Sequence, residues 1–185
     1  GRGVGAVKVF RATGEQLLGF FPFGQTFDGG VAVAAGNVSG GPAAEIIAAR
    51  GTGPAFVAIF TGAGAELLRF RAFADGGAFV AAGDLNGDGW DEVVTGPAAG
   101  PAQSVKVFNG APGGLTMTFH LPGAPDGSGV RVATSNSGGR PDNLVIGGGP
   151  GGSPRVKVFN GLTLALLDNF LAYEAGFVGG VFVGG

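Results

Sequence analysis

The sequence contains no cysteine and only one histidine. The absence of cysteine excludes disulfide bonds, thiolate nucleophiles and cysteine-based zinc sites. A single histidine also excludes clusters of imidazole metal ligands. No pair of carboxylates outside one acidic loop recurs at a spacing suited to acid–base catalysis. We therefore expect the protein not to be an enzyme.

Charge and long apolar runs are also scarce. The chain of 185 residues has 11 basic and 13 acidic side chains and a net charge of −2. Because no basic stripe is present to neutralise phosphates, we expect no nucleic-acid partner. Mean hydropathy is positive, at +0.37, but glycine, proline or a charge interrupts every apolar run well before the ~18 residues of a membrane helix. We expect no insertion into a membrane.

The chain is rich in glycine (41 residues) and proline (11 residues), yet it is strongly periodic. The first periodic marker is a Val-x-Val-Phe or Val-x-Ile-Phe motif, at residues 7–10, 57–60, 105–108 and 156–159. The second is a phenylalanine that follows each motif, at Phe20, Phe70, Phe119 and Phe170. The third is a short apolar run that ends at Val33, Val80, Val132 and Val183. All three markers share a period of about 50 residues, the size of one repeated structural unit.

Within each unit, apolar residues alternate with small or polar residues over short stretches bounded by Gly, Pro, Asn and Asp. This pattern is typical of short β-strands joined by tight turns. One unit predicts strands around 31–35, 45–49, 57–60 and 67–73. Four strands in about 50 residues is the size of one propeller blade. The predicted fold class is all-β, a β-propeller of four-stranded antiparallel blades with about four blade equivalents.

We interpret residues 1–185 as a single repeat domain. The circularly offset blade equivalents are about 1–36, 37–83, 84–134 and 135–185. We number the four strands of one repeat in the order given above. The count of strands is uneven, because the first, third and fourth strands of the repeat each occur four times and the second only three times. Either the chain is an excerpt of a larger propeller, or closure requires another chain or an imperfect fourth blade.

One segment, DLNGDGWDE at 84–92, carries the pattern of a calcium loop. Calcium prefers six to eight oxygen ligands, and alternate residues of a tight loop direct their oxygens inward. The predicted ligands are Asp84, Asn86, Asp88, the backbone carbonyl of Trp90, and Glu92. The alternative is a plain β-turn, because Asn-Gly and Asp-Gly are common turn dipeptides. The Trp90 ring is expected either to pack on the neighbouring blade or to stack on a sugar.

The sister loops at 37–45 and 135–143 carry less charge. Internal alignment puts Asn37, Ser39, Gly41 and Glu45 at the ligand positions of the first copy. It puts Ser135, Ser137, Gly139 and Asn143 at those of the third copy. We expect one good calcium site and two turns that hold their shape without metal.

The stretch DLNGDGWDEVVTG, followed by SVKVFNG and recurring with GGGPGGSPRVKVFNG, resembles the FG-GAP or VCBS repeat family. Calcium loops of that family occur in integrin α-subunit propellers, fungal lectins and many bacterial surface proteins. The resemblance implies a structural Ca²⁺ at Asp84, Asn86, Asp88, Trp90 and Glu92. It also implies an extracellular or cell-surface setting and a role in adhesion or ligand binding.

We therefore predict a calcium-stabilised propeller that binds carbohydrate or a surface protein. One alternative is a structural repeat protein that assembles into a fibre, sheath or ring. Its partners would be other copies of the same chain, in a homo-oligomer, or further blades of the same parent protein. Another alternative is a non-catalytic propeller module of a secreted hydrolase or lyase.

Overall fold

The fold is given by a computed structural model that describes residues 4–100, 104–110, 114–120, 128–136, 139 and 141–185. Its regular elements in these ranges are β-strands. The strands are β1 (Val7–Phe10), β2 (Gln16–Phe20), β3 (Val31–Gly36), β4 (Glu45–Arg50), β5 (Ala55–Phe60), β6 (Glu66–Phe73), β7 (Ala78–Gly83), β8 (Glu92–Pro97), β9 (Ser104–Phe108), β10 (Leu115–His120), β11 (Val130–Ser135), β12 (Asn143–Gly148), β13 (Arg155–Asn160) and β14 (Leu166–Leu171). No helical segment in these ranges has the length and hydropathy needed to cross a bilayer.

The strands form one hairpin and three antiparallel sheets. Strands β1 and β2 form the N-terminal hairpin, β3 to β6 the first sheet, β7 to β10 the second, and β11 to β14 the third. Within each sheet every strand pairs with the next strand of the sequence. This meander order confirms the predicted all-β class and the four-stranded repeat, because the predicted strands at 31–35, 45–49, 57–60 and 67–73 coincide with β3 to β6.

The last predicted strand, around Val183, differs from the prediction. Residues 178–185 have no ladder partner, so the first strand type is paired in a sheet only three times in the described residues. The segment instead lies against the third sheet, where the amide of Val181 donates to the carbonyl of Gly148 at 2.8 Å. Val181 also packs with Ala133 and Val145. Its apolar alternation is that of a strand, but no neighbouring strand pairs with it.

Successive sheets pack face to face, and the two periodic phenylalanines meet between them. The phenylalanine in the fourth strand of one repeat contacts the phenylalanine in the third strand of the next repeat. The ring pairs are Phe20–Phe60, Phe70–Phe108 and Phe119–Phe159, with centroids 4.8, 4.4 and 4.9 Å apart. Aliphatic residues such as Ile59 and Val93 complete one of these layers. Each sheet thus buries a face that it could not cover alone.

The first strands of the three sheets approach one another closely. Strand β7 lies between β3 and β11. A Cβ at Gly36 would come within 2.6 Å of Ala82, and a Cβ at Gly83 within 2.6 Å of Thr134. The small residues of these strands are therefore required by the narrow spacing between adjacent strands.

Candidate metal centre

The acidic loop joins β7 to β8 and is closed by a ladder pair. Gly83, the last residue of β7, pairs with Glu92, the first residue of β8. Gly87 and Gly89 have φ angles of 83° and 98°. These values lie in the left-handed region that glycine adopts without strain. The two glycines therefore allow the chain to turn tightly enough to face its own side chains.

The alternate residues of the loop direct their oxygens onto the loop backbone. Asp84 accepts from the amides of Gly87 and Gly89, at 2.7 and 3.0 Å. Asn86 Oδ1 accepts from the Asp88 amide at 2.8 Å, and Asp88 Oδ1 accepts from the Trp90 amide at 2.9 Å. The side chains at loop positions one, three and five thus accept hydrogen bonds from amides of their own loop, and their role as metal ligands stays a prediction.

Glu92 anchors the end of the loop from a buried position. Its Oε2 accepts from the Leu85 amide at 2.9 Å, and its Oε1 accepts from Asn86 Nδ2 at 2.8 Å. The same nitrogen donates to Asp88 Oδ2 at 3.0 Å. Two carboxylates therefore lie on either side of one partly positive nitrogen.

Burial and neighbouring negative charge together shift the pKa of Glu92. Burial raises the pKa of Glu92 from 4.5 to about 7, with further upward contributions from the charges of Asp88 and Asp84. The hydrogen bond from the Leu85 amide opposes this rise. A cation in the loop would favour the charged form of Glu92 and so lower its pKa.

The donor set fits Ca²⁺ in its chemistry, because carboxylate, amide and carbonyl oxygens are the ligands that this ion prefers. Within the described residues, however, no three acidic or histidine side chains converge closely enough to hold a metal. To hold Ca²⁺, the oxygens of the loop would have to move closer together, and the Asn86 side chain would have to turn its amide nitrogen away from Asp88 and Glu92.

Trp90 reaches beyond its own loop. Its indole lies over the sister loop, where a Cβ added to Gly40 would overlap the ring. This contact supports the packing role for the ring, although 45 % of the residue remains exposed. A ligand role for the Trp90 carbonyl stays a prediction.

The sister loop at 37–45 is closed in the same way, with less charge. Glu45 Oε2 accepts from the amides of Val38 and Ser39, at 3.0 and 3.1 Å. The hydroxyl of Ser39 donates to Glu45 Oε1, so it takes the place that the Asn86 amide has in the acidic loop. Gly41 occupies the position of Asp88 and brings no side-chain oxygen.

The third loop corrects the internal alignment by one residue. Ser135 pairs with Asn143 as the last residue of β11, just as Gly83 pairs with Glu92. Ser135 is therefore a strand residue, and Asn136 follows it at the first loop position. The Ser-x-Ser spacing resembles the alternation of oxygen-bearing residues in the acidic loop. This resemblance led to the wrong alignment, because the third loop is one residue shorter. Ser137 lies outside the described residues.

Sequence reasoning missed two aspartates that link neighbouring loops. Asp91 Oδ2 accepts from the Asn37 amide at 2.7 Å, and the Asp91 amide donates to the Asn37 carbonyl at 2.9 Å. Asp142 and Asp84 form the same reciprocal pair, at 3.1 and 2.7 Å. We call each pair an inter-sheet clasp. The recurrence of Asp just before the last loop position was the signal for it.

The geometry defines an all-β module of repeated antiparallel sheets whose loops meet at one edge. Residues 76–109 match the family model described as the FG-GAP repeat, which confirms the FG-GAP recognition for this segment. The segment contains the acidic loop and the strands on either side of it.

Several solved structures share the fold. Rhamnogalacturonan lyase YesW aligns with a TM-score of 0.56 and 16 % identity, over 91 % of this chain and 37 % of that one. A rhamnogalacturonan lyase of Bacillus licheniformis gives 0.56 and 15 %, over 91 % and 37 %. The exotype lyase YesX gives 0.55 and 15 %, over 92 % and 36 %.

This chain spans little more than a third of each lyase. No curated protein matches the sequence significantly. Together, the FG-GAP repeat and the shared fold support a propeller-like module.

Proposed function

We propose that this chain is part of a calcium-stabilised β-propeller whose blades are the four-stranded sheets, and that it binds carbohydrate or a surface protein. The extracellular or cell-surface setting rests on the family resemblance alone. The blade arrangement is supported by sheets that stack in sequence order with their first strands side by side.

The calcium role rests on one observation: the arrangement of oxygens around Asn86. Asp88 and Glu92 lie within hydrogen-bonding distance of a single nitrogen of its side chain. The loop thus holds two carboxylates that repel each other unless a positive group lies between them. Calcium would replace that nitrogen with a full charge and would tie β7 to β8.

Thermal melting in Ca²⁺ and in chelator tests this role. If calcium binds only the folded state, it should stabilise that state by about 2.7 kcal/mol at a hundredfold excess over Kd. The Asp88→Ala variant should lose this response. Asp75→Ala is the matched control, because it removes an exposed carboxylate outside the loop. A wild-type melting temperature that does not change with Ca²⁺ would reduce the loop to an ordinary turn.

The binding role is proposed to be non-catalytic. Labelled protein on a glycan array, together with capture of surface proteins from intact cells, tests it directly. Binding to neither set of ligands would remove this part of the proposal and leave the calcium result standing.

Self-assembly is a second candidate, favoured by two exposed rings. Phe10 and Phe170 are 53 % and 44 % exposed, whereas their equivalents in the other repeats pair between sheets. The hairpin of one copy would then pack through Phe10 against Phe170 on the third sheet of another copy. Such head-to-tail contacts produce rings or filaments.

A non-catalytic module of a secreted lyase is a third candidate. It is favoured by the fold similarity to rhamnogalacturonan lyases, of which this chain spans little more than a third. Purified chain should then release no product from rhamnogalacturonan by itself. Release of unsaturated oligosaccharides would overturn the non-catalytic assignment.

A further inference from the structure

We propose that the cleft between the N-terminal hairpin and the first sheet binds a sugar ring that bears a carboxylate, such as a uronic acid residue, with Arg50 as the cation that pairs with it. The cleft has a volume of about 650 Å³, and its walls include Phe20, Phe21, Phe23, Phe56 and Arg50. This volume is within the range of small-molecule sites. The inference deepens the proposed carbohydrate-binding function and rests on it.

Arg50 is a cation without a polar partner in the part of the chain that the structure describes. It lies at the end of β4, and its guanidinium carbon is 4.3 Å from the centroid of the Phe27 ring. Its Nε is buried and has no hydrogen-bond partner, and among the described residues the side chain has neither an ion pair nor a hydrogen bond. A buried donor without an acceptor is costly, which makes Arg50 a ready site for an anion.

The second arginine of the cleft shows the contrasting case. Arg69 donates to Glu66 through Nε and Nη2, at 2.9 and 2.7 Å, and also to the Pro22 carbonyl at 2.8 Å. The hydrogen bond from Arg69 lowers the pKa of Glu66, so the carboxylate keeps its charge. Arg69 is therefore already neutralised within the protein. The positive charge that remains in the cleft belongs to Arg50.

The aromatic walls define the rest of the ligand. Phe21 is 39 % exposed, and Phe56 is partly exposed beside it in the cleft. Sugar rings pack their C–H faces on aromatic rings, while a carboxylate matches the planar fork of a guanidinium. Because the cleft also contains the Glu66 carboxylate, a singly charged carboxylate is repelled less there than a phosphate dianion. A uronic acid residue combines both features in one ring.

The cleft is not a by-product of the repeat. By ladder register, the positions equivalent to Phe56 in the second and third sheets are Ser104 and Arg155. Neither residue is aromatic, so among the described sheets the wall formed by Phe56 occurs only beside the hairpin. This departure from an otherwise repeated pattern is expected where one repeat has acquired a separate binding role.

Isothermal titration of the whole chain with two probes tests the proposal. The probes are trigalacturonate and the same trimer with its carboxyls methyl-esterified, at one fixed Ca²⁺ concentration. We expect the acid to bind at least about tenfold more tightly than the ester, which corresponds to about 1.4 kcal/mol. Arg50→Gln should reduce acid binding to the level of the ester, and Arg50→Lys should restore part of the difference.

Two further variants separate the cleft from general effects. Phe56→Ala should weaken both probes, because it removes the stacking wall. Arg71→Gln should change neither affinity, because Arg71 lies outside the cleft and donates to the carbonyls of Phe73 and Ala74.

Three outcomes would overturn the proposal: equal binding of acid and ester, unchanged acid binding by a folded Arg50→Gln variant, or no binding of either probe. If labelled protein still binds other glycans on an array and Arg50→Gln leaves that binding intact, the carbohydrate-binding function stands and this cleft is not its site. If no glycan binds at all, the carbohydrate function fails as well.

Discussion

At the residue scale, Glu92 combines burial with a neighbourhood of negative charge. It is 4 % exposed and has two acidic neighbours in its own loop, Asp84 and Asp88. Its sister Glu45 is equally buried, but it accepts from a serine hydroxyl in a loop without a second carboxylate. The two glutamates therefore close equivalent loops that differ in their number of carboxylates.

The raised pKa of Glu92 predicts how the stability of the calcium-free protein depends on pH. Because the folded state binds the Glu92 proton more tightly than the unfolded state, the free energy of unfolding should fall as pH rises from about 4.5 to about 7. Above that window this contribution should be constant. Urea unfolding of metal-free protein at several pH values measures the slope.

Glu92→Gln should remove this fall, because the amide does not titrate. Calcium should stabilise the wild type more strongly at pH 8 than at pH 5.5, since the ion binds the carboxylate form. If the unfolding free energy of the wild type and of Glu92→Gln depends on pH in the same way, the pH dependence does not come from Glu92.

Some residues of the site were predictable and others were not. The alternation of oxygens in DLNGDGWDE is local, so the sequence shows it directly. Asp91 was missed because it binds the backbone of a loop 54 residues away. Arg50 was missed because its significance depends on the lack of a partner, which only the folded arrangement reveals.

At the element scale, the inter-sheet clasps connect loops that belong to different sheets. Each clasp joins the first loop residue of one repeat to the residue just before β8 or β12 in the next. It uses a side-chain oxygen and the backbone groups of both residues, so neighbouring sheets are held at a fixed register. Trp90, the residue before Asp91, packs over Gly40 in the loop that contains Asn37.

Removing the Asp91 carboxylate should loosen the first two sheets. Asp91→Ala leaves the partly buried Asn37 amide without its acceptor, which should cost about 1–3 kcal/mol in unfolding free energy. Asp91→Asn should cost less, since its amide oxygen can still accept. Denaturant unfolding measures the loss, and hydrogen exchange at the Asn37 amide locates it.

The clasp should be independent of calcium, because Asp91 is not among the predicted ligands. Asp91→Ala should therefore keep the wild-type shift in melting temperature on addition of Ca²⁺. An unchanged exchange rate at Asn37 in the Ala variant would show that the clasp does not hold the sheets together.

At the scale of the whole molecule, one contact is repeated along the stack. The period of about 50 residues showed which phenylalanines are equivalent, and the alternation of apolar residues showed the strands. Neither revealed that the two phenylalanine series meet each other between sheets, because sequence periodicity does not state which faces adjoin. The packing order explains both series, because a phenylalanine from the fourth strand of each repeat packs on a phenylalanine from the third strand of the next repeat.

The interior and exposed members of one series should therefore respond differently to truncation. Phe70→Ala removes a half-buried ring from the pair with Phe108, and we expect a loss of about 2–4 kcal/mol, near the lower end for large core truncations. Phe170→Ala removes the equivalent ring from an exposed face and should cost less than about 1 kcal/mol. Urea unfolding of the two variants measures the difference.

Light scattering on the same proteins decides whether that exposed face is used. If copies of the chain pack head to tail, the wild type should be larger than a monomer at high concentration, and both Phe170→Ala and Phe10→Ala should shift it toward the monomer. If the wild type is monomeric throughout, self-assembly of this chain is excluded. A large loss of stability in monomeric Phe170→Ala would instead mean that the Phe170 ring of the wild type is buried within its own molecule. That result would contradict the exposure of this ring at the end of the stack of sheets.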